Sequence, residues 1–194
     1  MIAFDIETIP RPDAIKSRQW IEHRDKKGLT DQDAALHPAF AQVVAIGAMS
    51  NTNNSAFAMC GSNEQDLIGS FIEFCAQEST LAGHNILGFD IPMAFNRCIA
   101  NRIKVPSMFN LIGKKPWDVP HVDTVQMLKN GSGPYLSLDS ICLMLGVPSP
   151  KTGEVSALGV WEAFNRGDYA QIQAYCMADV KQWIECYKII KGML

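Results

Sequence analysis

Two carboxylates stand two residues apart in an apolar stretch near the start of the sequence. Asp5 and Glu7 alternate there with Phe4 and Ile6. Residues at i and i+2 of a β-strand point to the same face, so the two carboxylates are expected roughly 6.6 Å apart along the strand. Two negative charges on an inner strand are costly unless a positive charge compensates them. The pattern therefore predicts a cation site, and a solvent-exposed strand face is the alternative.

The spacing of this acidic pair is weak support by itself. With 20 acidic residues among 194, about two acid-x-acid pairs are expected by chance. Two further pairs occur, at positions 31/33 and 64/66. The apolar neighbours are what distinguish Asp5 and Glu7 from the other pairs.

A third acidic residue, Asp90, lies where a predicted strand turns into a predicted helix. The segment GHNILGFDIP places Gly83, His84 and Asn85 at the end of the strand, and ligands of open α/β sheets tend to bind at the carboxyl ends of strands. Asp is also a preferred N-cap residue, so a purely structural role for Asp90 is the alternative. We expect His84 to be a hydrogen-bonding structural residue rather than a metal ligand.

A tyrosine and a fourth carboxylate share one face of the predicted C-terminal helix. Tyr175 and Asp179 are four residues apart, which places their Cβ atoms about 5–6 Å from each other on a helix. Ile172, Trp183 and Ile184 follow at helical spacing and are apolar. Asp179 is therefore expected at the buried edge of an amphipathic helix, where pairing with a lysine is the alternative to a catalytic role.

These three motifs occur in the order FDIET, HNILGFDIP and YCMAD. Together they resemble the DEDDy 3′–5′ exonucleases, in particular the proofreading-exonuclease domain of family B DNA polymerases and its stand-alone relatives. The resemblance extends from about Ile2 to Ile190, outside residues 11–40, and includes the segments HPAFAQVVAIGAM, HVDTVQML and LSLDSICLMLGVP. It implies an RNase H-like α/β fold, with a central mixed sheet whose first three strands are antiparallel and which helices flank.

The resemblance also implies roles for individual residues. Asp5, Glu7 and Asp179 would bind one divalent ion, and Asp5 with Asp90, directly or through water, would bind a second. Tyr175 would orient the attacking water. The oxygen ligands suit Mg²⁺ or Mn²⁺ better than zinc. Two ions about 3.5–4 Å apart would activate the water and neutralise charge on the departing 3′ oxygen.

The predicted function is therefore removal of nucleotides from the 3′ end of single-stranded DNA. Two alternatives remain open. One is an exoribonuclease that trims RNA. It stays open because no residue of the sequence is a clear candidate for contacting the 2′-hydroxyl, the group that distinguishes RNA from DNA. The other is a catalytically idle nucleic-acid-binding module on the same fold. The 194 residues hold no polymerase domain, and the sequence does not indicate a polymerase or repair partner.

Several further residues are candidates for contacts with the nucleic acid. The resemblance implies that Thr8 and Asn85 contact the terminal nucleotide. Single strands bind by stacking on aromatic rings and by charge along the backbone, so we expect contacts from Phe89. Further candidates are Trp117 and Tyr135 around Lys114–Lys115, and Trp20 with Arg18, Arg24, Lys26 and Lys27. The alternative for these residues is a solvated charged face with aromatic side chains in the core.

The elements that would position these residues alternate along the chain. Strands are predicted at residues 2–7, 42–50, 55–60 and 80–85, with the second and third forming a hairpin. Helices are predicted from Asn63 to about Gln77, from Asp90 to about Arg102, and over 137–145 and 160–165. A long helix capped by Asp168 runs to about Ile190. Residues 119–128 fit a strand or a helix equally well.

Length and composition predict one domain over residues 1–194, with a charged, partly helical insertion at about 11–40. No stretch is long and apolar enough for a membrane span, and no secretory signal is recognised, so we expect a cytoplasmic protein. The six cysteines lack close pairs, which predicts reduced thiols. The net charge is −3, but without the four proposed ligand carboxylates the remaining charge is +1, which is compatible with binding phosphate.

Overall fold

In a computed structural model, the chain is described over residues 1–76, 78–148 and 156–194. Within this part, one mixed sheet has the strand order β3-β2-β1-β4-β5. Its strands are β1 (Ile2–Pro10), β2 (Ala41–Ser50), β3 (Ala56–Cys60), β4 (Leu81–Gly83) and β5 (Val122–Asp123). The first three strands are antiparallel, whereas β4 pairs parallel with β1 and β5 parallel with β4. The predicted mixed sheet with three antiparallel leading strands is confirmed.

Helices cover both faces of this sheet. In chain order they are α1 (Arg18–Lys27), α2 (Glu64–Phe74), α3 (Asp90–Ala100), α4 (Thr124–Lys129), α5 (Leu138–Leu145), α6 (Val160–Arg166) and α7 (Tyr169–Met193). Asn63 and Ser137 cap α2 and α5 by accepting backbone N–H groups, as Asn and Ser favour. The predicted end of α2 near Gln77 lies outside the described residues.

Alternation along β1 separates the core from the acidic face. Phe4 and Ile6 pack on one side of the sheet in the same core cluster as Phe71 of α2. Ala3 packs on the other side in a cluster with Val180 of α7. Because side chains alternate along a strand, the acidic pair of β1 shares the face of Ala3 and lies towards α7.

β4 is shorter than the predicted strand at residues 80–85. It ends at Gly83 because Asn85 adopts a left-handed conformation with φ of +60°, which an extended strand does not allow. The chain also passes close to β1 at Gly83, where a Cβ would lie 2.8 Å from the carbonyl oxygen of Phe4. Glycine therefore permits the turn that leads into the loop before α3.

The ambiguous segment at residues 119–128 contains both structures. Val122–Asp123 forms β5, and Thr124–Lys129 forms α4 directly after it. The side chain of Asp123 accepts a hydrogen bond from the backbone N–H of Val125 at 2.9 Å and so caps the helix. A two-residue strand is too short for periodicity to detect.

A buried ion pair fixes α3 against the rest of the fold. The Arg97 guanidinium donates to both Glu64 oxygens at 2.8 and 2.6 Å, and Glu64 also accepts from the backbone N–H of Val43. Both charged side chains are buried, and buried charges are found paired and hydrogen-bonded. This contact holds together α2, α3 and β2, and it thereby sets the position of Asp90 at the start of α3.

The insertion between β1 and β2 contains α1 and a short 3₁₀ segment at Asp31–Leu36, so its predicted partly helical character is confirmed. Trp20 of α1 is fully buried and donates its indole N–H to Asp31 at 2.8 Å. The expectation that Trp20 stacks on a nucleic-acid base is therefore wrong. Its ring packs instead against Phe40, with centroids 5.1 Å apart.

The thiols are free, and all but the half-buried Cys60 are buried. Burial raises the pKa of Cys75 to about 12 and that of Cys98 to about 11, so these buried thiols stay protonated. In the described part of the chain, no helix combines the length and apolar character that crossing a bilayer requires.

Candidate active site

A cavity of about 360 Å³ opens between β1, the loop after β4, and α7. Its walls include eight residues for which the sequence predicted a catalytic, metal-binding or substrate-binding role. These are Asp5, Glu7, Thr8, Asn85, Phe89, Asp90, Tyr175 and Asp179. Three motifs separated by about ninety residues each are thus brought to one place in the fold.

The strand β1 presents the first two carboxylates from its face towards α7. Oxygen atoms of Asp5 and Glu7 and the Cys176 sulfur all lie within 4.8 Å of one another. The pairing of β1 with β2 shifts register between Glu7 and Thr8, and such irregularities redirect side chains and are common beside active sites. Asp5 and Glu7 therefore point to the same face of β1, as the sequence predicted.

Asp90 reaches β1 from the first turn of α3. Phe89 occupies the N-cap position, so the alternative in which Asp90 is the cap does not hold. One Asp90 carboxylate oxygen accepts the backbone N–H of Ile6 at 3.2 Å. β4 ends at Gly83 and does not extend alongside Ile6. The Asp90 carboxylate therefore accepts the Ile6 N–H in place of a neighbouring strand. Burial raises the pKa of Asp90 to about 7.

The loop that carries Asn85 and Phe89 is held by a residue that the sequence did not single out. Asp123, which is buried, accepts the backbone N–H of Asn85 at 2.9 Å and that of Leu87 at 3.0 Å. A Cβ at Gly88 would lie only 2.5 Å from the Asn85 side-chain oxygen, so a larger residue there would displace the Asn85 side chain. The position of Asp123 at the end of a short strand is the sequence feature that could have indicated its role in holding this loop.

His84 lies at the edge of the same cavity and is hydrogen-bonded within the protein. Its Nδ1 lies 3.0 Å from the Thr124 hydroxyl, which also accepts the indole N–H of Trp183 at 3.1 Å. The imidazole is therefore linked to α4 and α7. This agrees with the expected structural role of His84.

The helix α7 contributes the tyrosine and the fourth carboxylate. Tyr175 and Asp179 are joined by a side-chain hydrogen bond, as their spacing of one helical turn allows. Burial raises the pKa of Tyr175 well above its usual value, and the charge of Glu7 raises it further. The phenol therefore stays protonated and acts as a hydrogen-bond donor.

The site concentrates negative charge, and no lysine or arginine is among the described residues that line it. Burial raises the pKa of Asp5 well above its usual value, and the neighbouring Glu7, Asp90 and Asp179 raise it further, in that order. Four carboxylates in one cavity repel one another unless protons or cations compensate them. Their donor atoms are hard oxygens, which fit a divalent cation such as Mg²⁺ or Mn²⁺.

This electrostatic arrangement predicts how stability depends on pH. The pKa values of Asp5 and Asp90 are raised in the folded state, so the folded protein binds protons that the unfolded chain releases. Without metal, stability should fall as the pH rises from about 4 to about 7. Thermal unfolding in EDTA should therefore give a higher Tm at the acidic end of this range than at pH values above it.

A matched variant separates this effect from the other titrating groups. Asp90→Asn keeps an oxygen that accepts the Ile6 N–H but cannot ionise, so the pH dependence in EDTA should become flatter. Added Mg²⁺ should raise the wild-type Tm more above neutral pH than below it, because cations then replace protons. An unchanged pH profile in Asp90→Asn would contradict the assignment of the charge repulsion to this site.

Cys176 is a further site residue that the sequence did not predict. Its thiol is fully buried and lies 3.3 Å from the carbonyl oxygen of Asp5 and 3.5 Å from its carboxylate. Burial raises the pKa of this thiol well above its usual value, and the charge of Asp5 raises it further. The thiol therefore acts as a weak donor that supports Asp5. Its position between Tyr175 and Asp179 on the buried face of α7 was the available signal.

The insertion forms one wall of the cavity. Thr8 lines this wall, but its hydroxyl donates to the carbonyl oxygen of Ala35 at 2.7 Å, so only its oxygen lone pairs remain for a nucleotide. Gln32 donates to the carbonyl oxygen of Leu158 at 2.6 Å across the cavity mouth. Leu36 and Leu158 line the cavity with 65% and 74% of their surface exposed.

The aromatic candidates for stacking separate into different places. Phe89 and Tyr135 line the cavity, and the Tyr135 ring lies 5.9 Å from that of His84. Trp117 does not line this cavity, although it is 77% exposed. Arg18 and Arg24 are ion-paired within the insertion, to Glu22 and to Asp25 and Asp31 respectively.

Solved structures resemble this fold. The family B DNA polymerase from the hyperthermophilic archaeon Pyrobaculum calidifontis matches with a TM-score of 0.66 and 16% sequence identity. The match covers 94% of this chain and 23% of the polymerase, so this chain spans about a quarter of that protein's length. The fold and the acidic cavity define the class as an RNase H-like α/β domain, as the sequence predicted.

The family follows from the sequence comparison. A family model described as a predicted 3′–5′ exonuclease related to the exonuclease domain of PolB matches residues 34–189. The chain belongs to this family, and the resemblance inferred from the three motifs is confirmed. Exonuclease domains of this kind generally use divalent metal ions. No curated protein matches the sequence.

The matched range includes two of the three acidic motifs but not β1. Asp90 and Asp179 lie within residues 34–189, whereas Asp5 and Glu7 precede them. β1 nevertheless occupies the centre of the sheet, between β2 and β4. The fold therefore places the first acidic pair beside the two carboxylates of the matched range.

Proposed function

We propose that the protein is a metal-dependent 3′–5′ exonuclease that hydrolyses phosphodiester bonds at the 3′ end of single-stranded DNA. The observation that carries this proposal is the convergence of Asp5, Glu7, Asp90 and Asp179 in one cavity. The raised pKa of Asp5 adds support, because burial and then the neighbouring carboxylates disfavour its charged form unless a cation compensates it. The family supplies the expected direction of cleavage.

The carboxylates would hold two Mg²⁺ or Mn²⁺ ions. Asp5, Glu7 and Asp179 are the proposed ligands of one ion, and Asp5 with Asp90 of the other. When bound, the ions would lower the pKa of a water molecule and neutralise charge on the departing 3′ oxygen. Asp5 is the residue shared between the two sets of ligands, which agrees with the interaction of its carboxylate with those of Glu7, Asp90 and Asp179.

Tyr175 is proposed to orient the attacking water. Its phenol is kept protonated by burial and by the surrounding carboxylates, so it can donate a hydrogen bond at neutral pH. Its single O–H donates to Asp179, and would donate to the water instead when Asp179 binds a metal ion. A positioned donor of this kind contributes by holding the water in line for attack.

The walls of the cavity suit the sugar and base of a terminal nucleotide. Phe89 and Tyr135 offer aromatic rings, and Leu36 and Leu158 offer exposed apolar surface around the acidic floor. Base stacking on such side chains is tolerant of sequence. A volume of about 360 Å³ lies in the range of cavities that hold small ligands, which favours a single splayed nucleotide over a duplex end.

Cleavage of labelled nucleic acids tests this function directly. With Mg²⁺ or Mn²⁺, a 5′-labelled single strand should shorten from its 3′ end and release mononucleotides, and EDTA should stop the reaction. Duplex ends should react more slowly than single-stranded or mismatched ends, since unpairing a terminal base requires energy. A 3′-phosphate should also slow cleavage.

The same assay distinguishes the other candidate activities. If RNA of the same sequence is shortened faster than DNA, RNA would be the substrate. The proposed catalytic site would stay the same. Products that shorten from the 5′ end, or cuts within a closed circle, would contradict an exonuclease of this type. Binding without cleavage under every metal condition would indicate an idle binding module.

A further inference from the structure

A second cavity, of about 600 Å³, lies at the edge of the sheet beside β5. Its walls combine apolar, aromatic and polar side chains. They include Leu87, Lys114, Val119, Gln126, Met127 and Tyr187. Flat apolar surfaces with an amide and an ammonium group at the rim suit a nucleobase that carries a phosphate.

The charge of this cavity differs in sign from that of the acidic site. Lys114 is exposed and has no ion-pair partner among the described residues. His121 is buried between the backbone N–H of Leu81 and the carbonyl oxygen of Met108, and burial lowers its pKa, so it stays neutral. Asp123 is buried and already accepts three backbone N–H groups. The accessible charge at the rim is therefore the ammonium of Lys114.

An exposed tryptophan stands next to this rim. Trp117 directly follows Pro116, which lines the cavity, and is 77% exposed. The Lys115 ammonium lies 5.3 Å from the centre of its ring, an attractive cation–π distance. Tryptophan is usually largely buried in a monomer, whereas an exposed ring beside lysines is the arrangement with which proteins stack single-stranded bases.

One loop contributes residues to both the acidic site and the second cavity. His84, Asn85 and Phe89 of this loop line the acidic site, whereas Leu87 lines the second cavity. Asp123 holds both parts of the loop through the backbone N–H groups of Asn85 and Leu87. A strand whose end lies in the acidic site can therefore continue past the loop towards the second cavity.

We propose that this second cavity, together with Trp117 and Lys114, binds an internal nucleotide of the single strand whose 3′ end occupies the acidic site. This inference rests on the proposed function for the identity of the strand. The base would stack against Trp117 or enter between Val119 and Tyr187, and Lys114 would contact a phosphate. Long strands would bind through both cavities and very short ones through the acidic site alone.

The dependence of cleavage on strand length tests this proposal. Oligothymidylates of about 2 to 12 nucleotides would be compared with Mg²⁺ in the wild-type protein and in Trp117→Ala, Lys114→Ala and the control Lys104→Ala. For the longest substrate, Trp117→Ala should lower kcat/KM by about 5- to 150-fold and Lys114→Ala should lower it less. Cleavage of the dinucleotide should be unchanged in both variants. Lys104→Ala changes an exposed lysine that does not line the cavity and should match the wild type.

Binding provides a second readout that does not require catalysis. In EDTA, a long oligothymidylate should quench tryptophan fluorescence in the wild type, and Trp117→Phe should abolish most of this quenching, since Trp20 and Trp183 are buried and Trp161 is partly buried against the cluster around Val44. Equal effects of Trp117→Ala on long and short substrates, or no effect on either, would overturn the second site. Quenching through Trp117 without cleavage of any substrate would instead overturn the proposed nuclease function and support the second site.

Discussion

Replacing Asp5 by alanine is expected to abolish cleavage, with a loss beyond about a thousandfold in rate. Asp5 is the residue proposed to contact both metal ions, and its carboxylate interacts with those of Glu7, Asp90 and Asp179. Removing Asp5 takes away the one ligand that the two proposed ions share. Single-turnover cleavage of a labelled strand at saturating Mn²⁺ measures the loss, because excess metal compensates any decrease in affinity.

The same variant should remain folded. Burial and the neighbouring carboxylates already disfavour the charged form of Asp5, so its removal relieves repulsion in the metal-free protein. Its Tm in EDTA above neutral pH should therefore equal or exceed that of the wild type, whereas stabilisation by Mg²⁺ should be lost. A folded Asp5→Ala protein that keeps most of its activity would show that the proposed metal site is wrong.

The second large effect is expected at Asp179. Asp179→Asn preserves the size of the side chain but removes a charged ligand, so metal affinity and rate should both fall, the rate by more than about a thousandfold. Metal affinity can be followed by the Mn²⁺ concentration needed for half-maximal cleavage. Because asparagine has nearly the same size as aspartate, this variant tests the charge of the ligand without changing the packing of α7.

Tyr175→Phe is the matched comparison on the same helix face. It removes one hydrogen bond to the water, worth about 1–3 kcal/mol, and should slow single-turnover cleavage about 5- to 150-fold. The Mn²⁺ dependence should be unchanged, because the phenol is not proposed as a ligand. Equal losses in Asp179→Asn and Tyr175→Phe, or full activity of Tyr175→Phe, would mean that Tyr175 only packs against its neighbours.

The amino-acid sequence by itself determined the main elements and the acidic motifs. Alternation around Asp5 and Glu7 predicted their shared strand face, and Asn63 and Ser137 marked helix starts that the structure contains. These features depend on residues within one or two turns of one another, where local backbone geometry fixes the direction of each side chain. The three motifs could therefore be recognised before any contact between them was known.

The tertiary structure decided which of the remaining side chains belong to a site. Trp20 and Trp117 both stand among basic residues in the sequence, yet Trp20 is fully buried and Trp117 is 77% exposed. Packing of α1 against Phe40 buries the first ring, and no local pattern encodes that contact.

Asp123 and Cys176 were missed for the same reason. Asp123 holds the Asn85 loop from 38 residues away, and Cys176 meets Asp5 across 171 residues. Periodicity reports which face of an element a residue occupies, but not what lies opposite that face. Only the pairing of β4 with β5 and the packing of α7 on the sheet bring these partners within hydrogen-bonding distance, so their roles depend on long-range contacts.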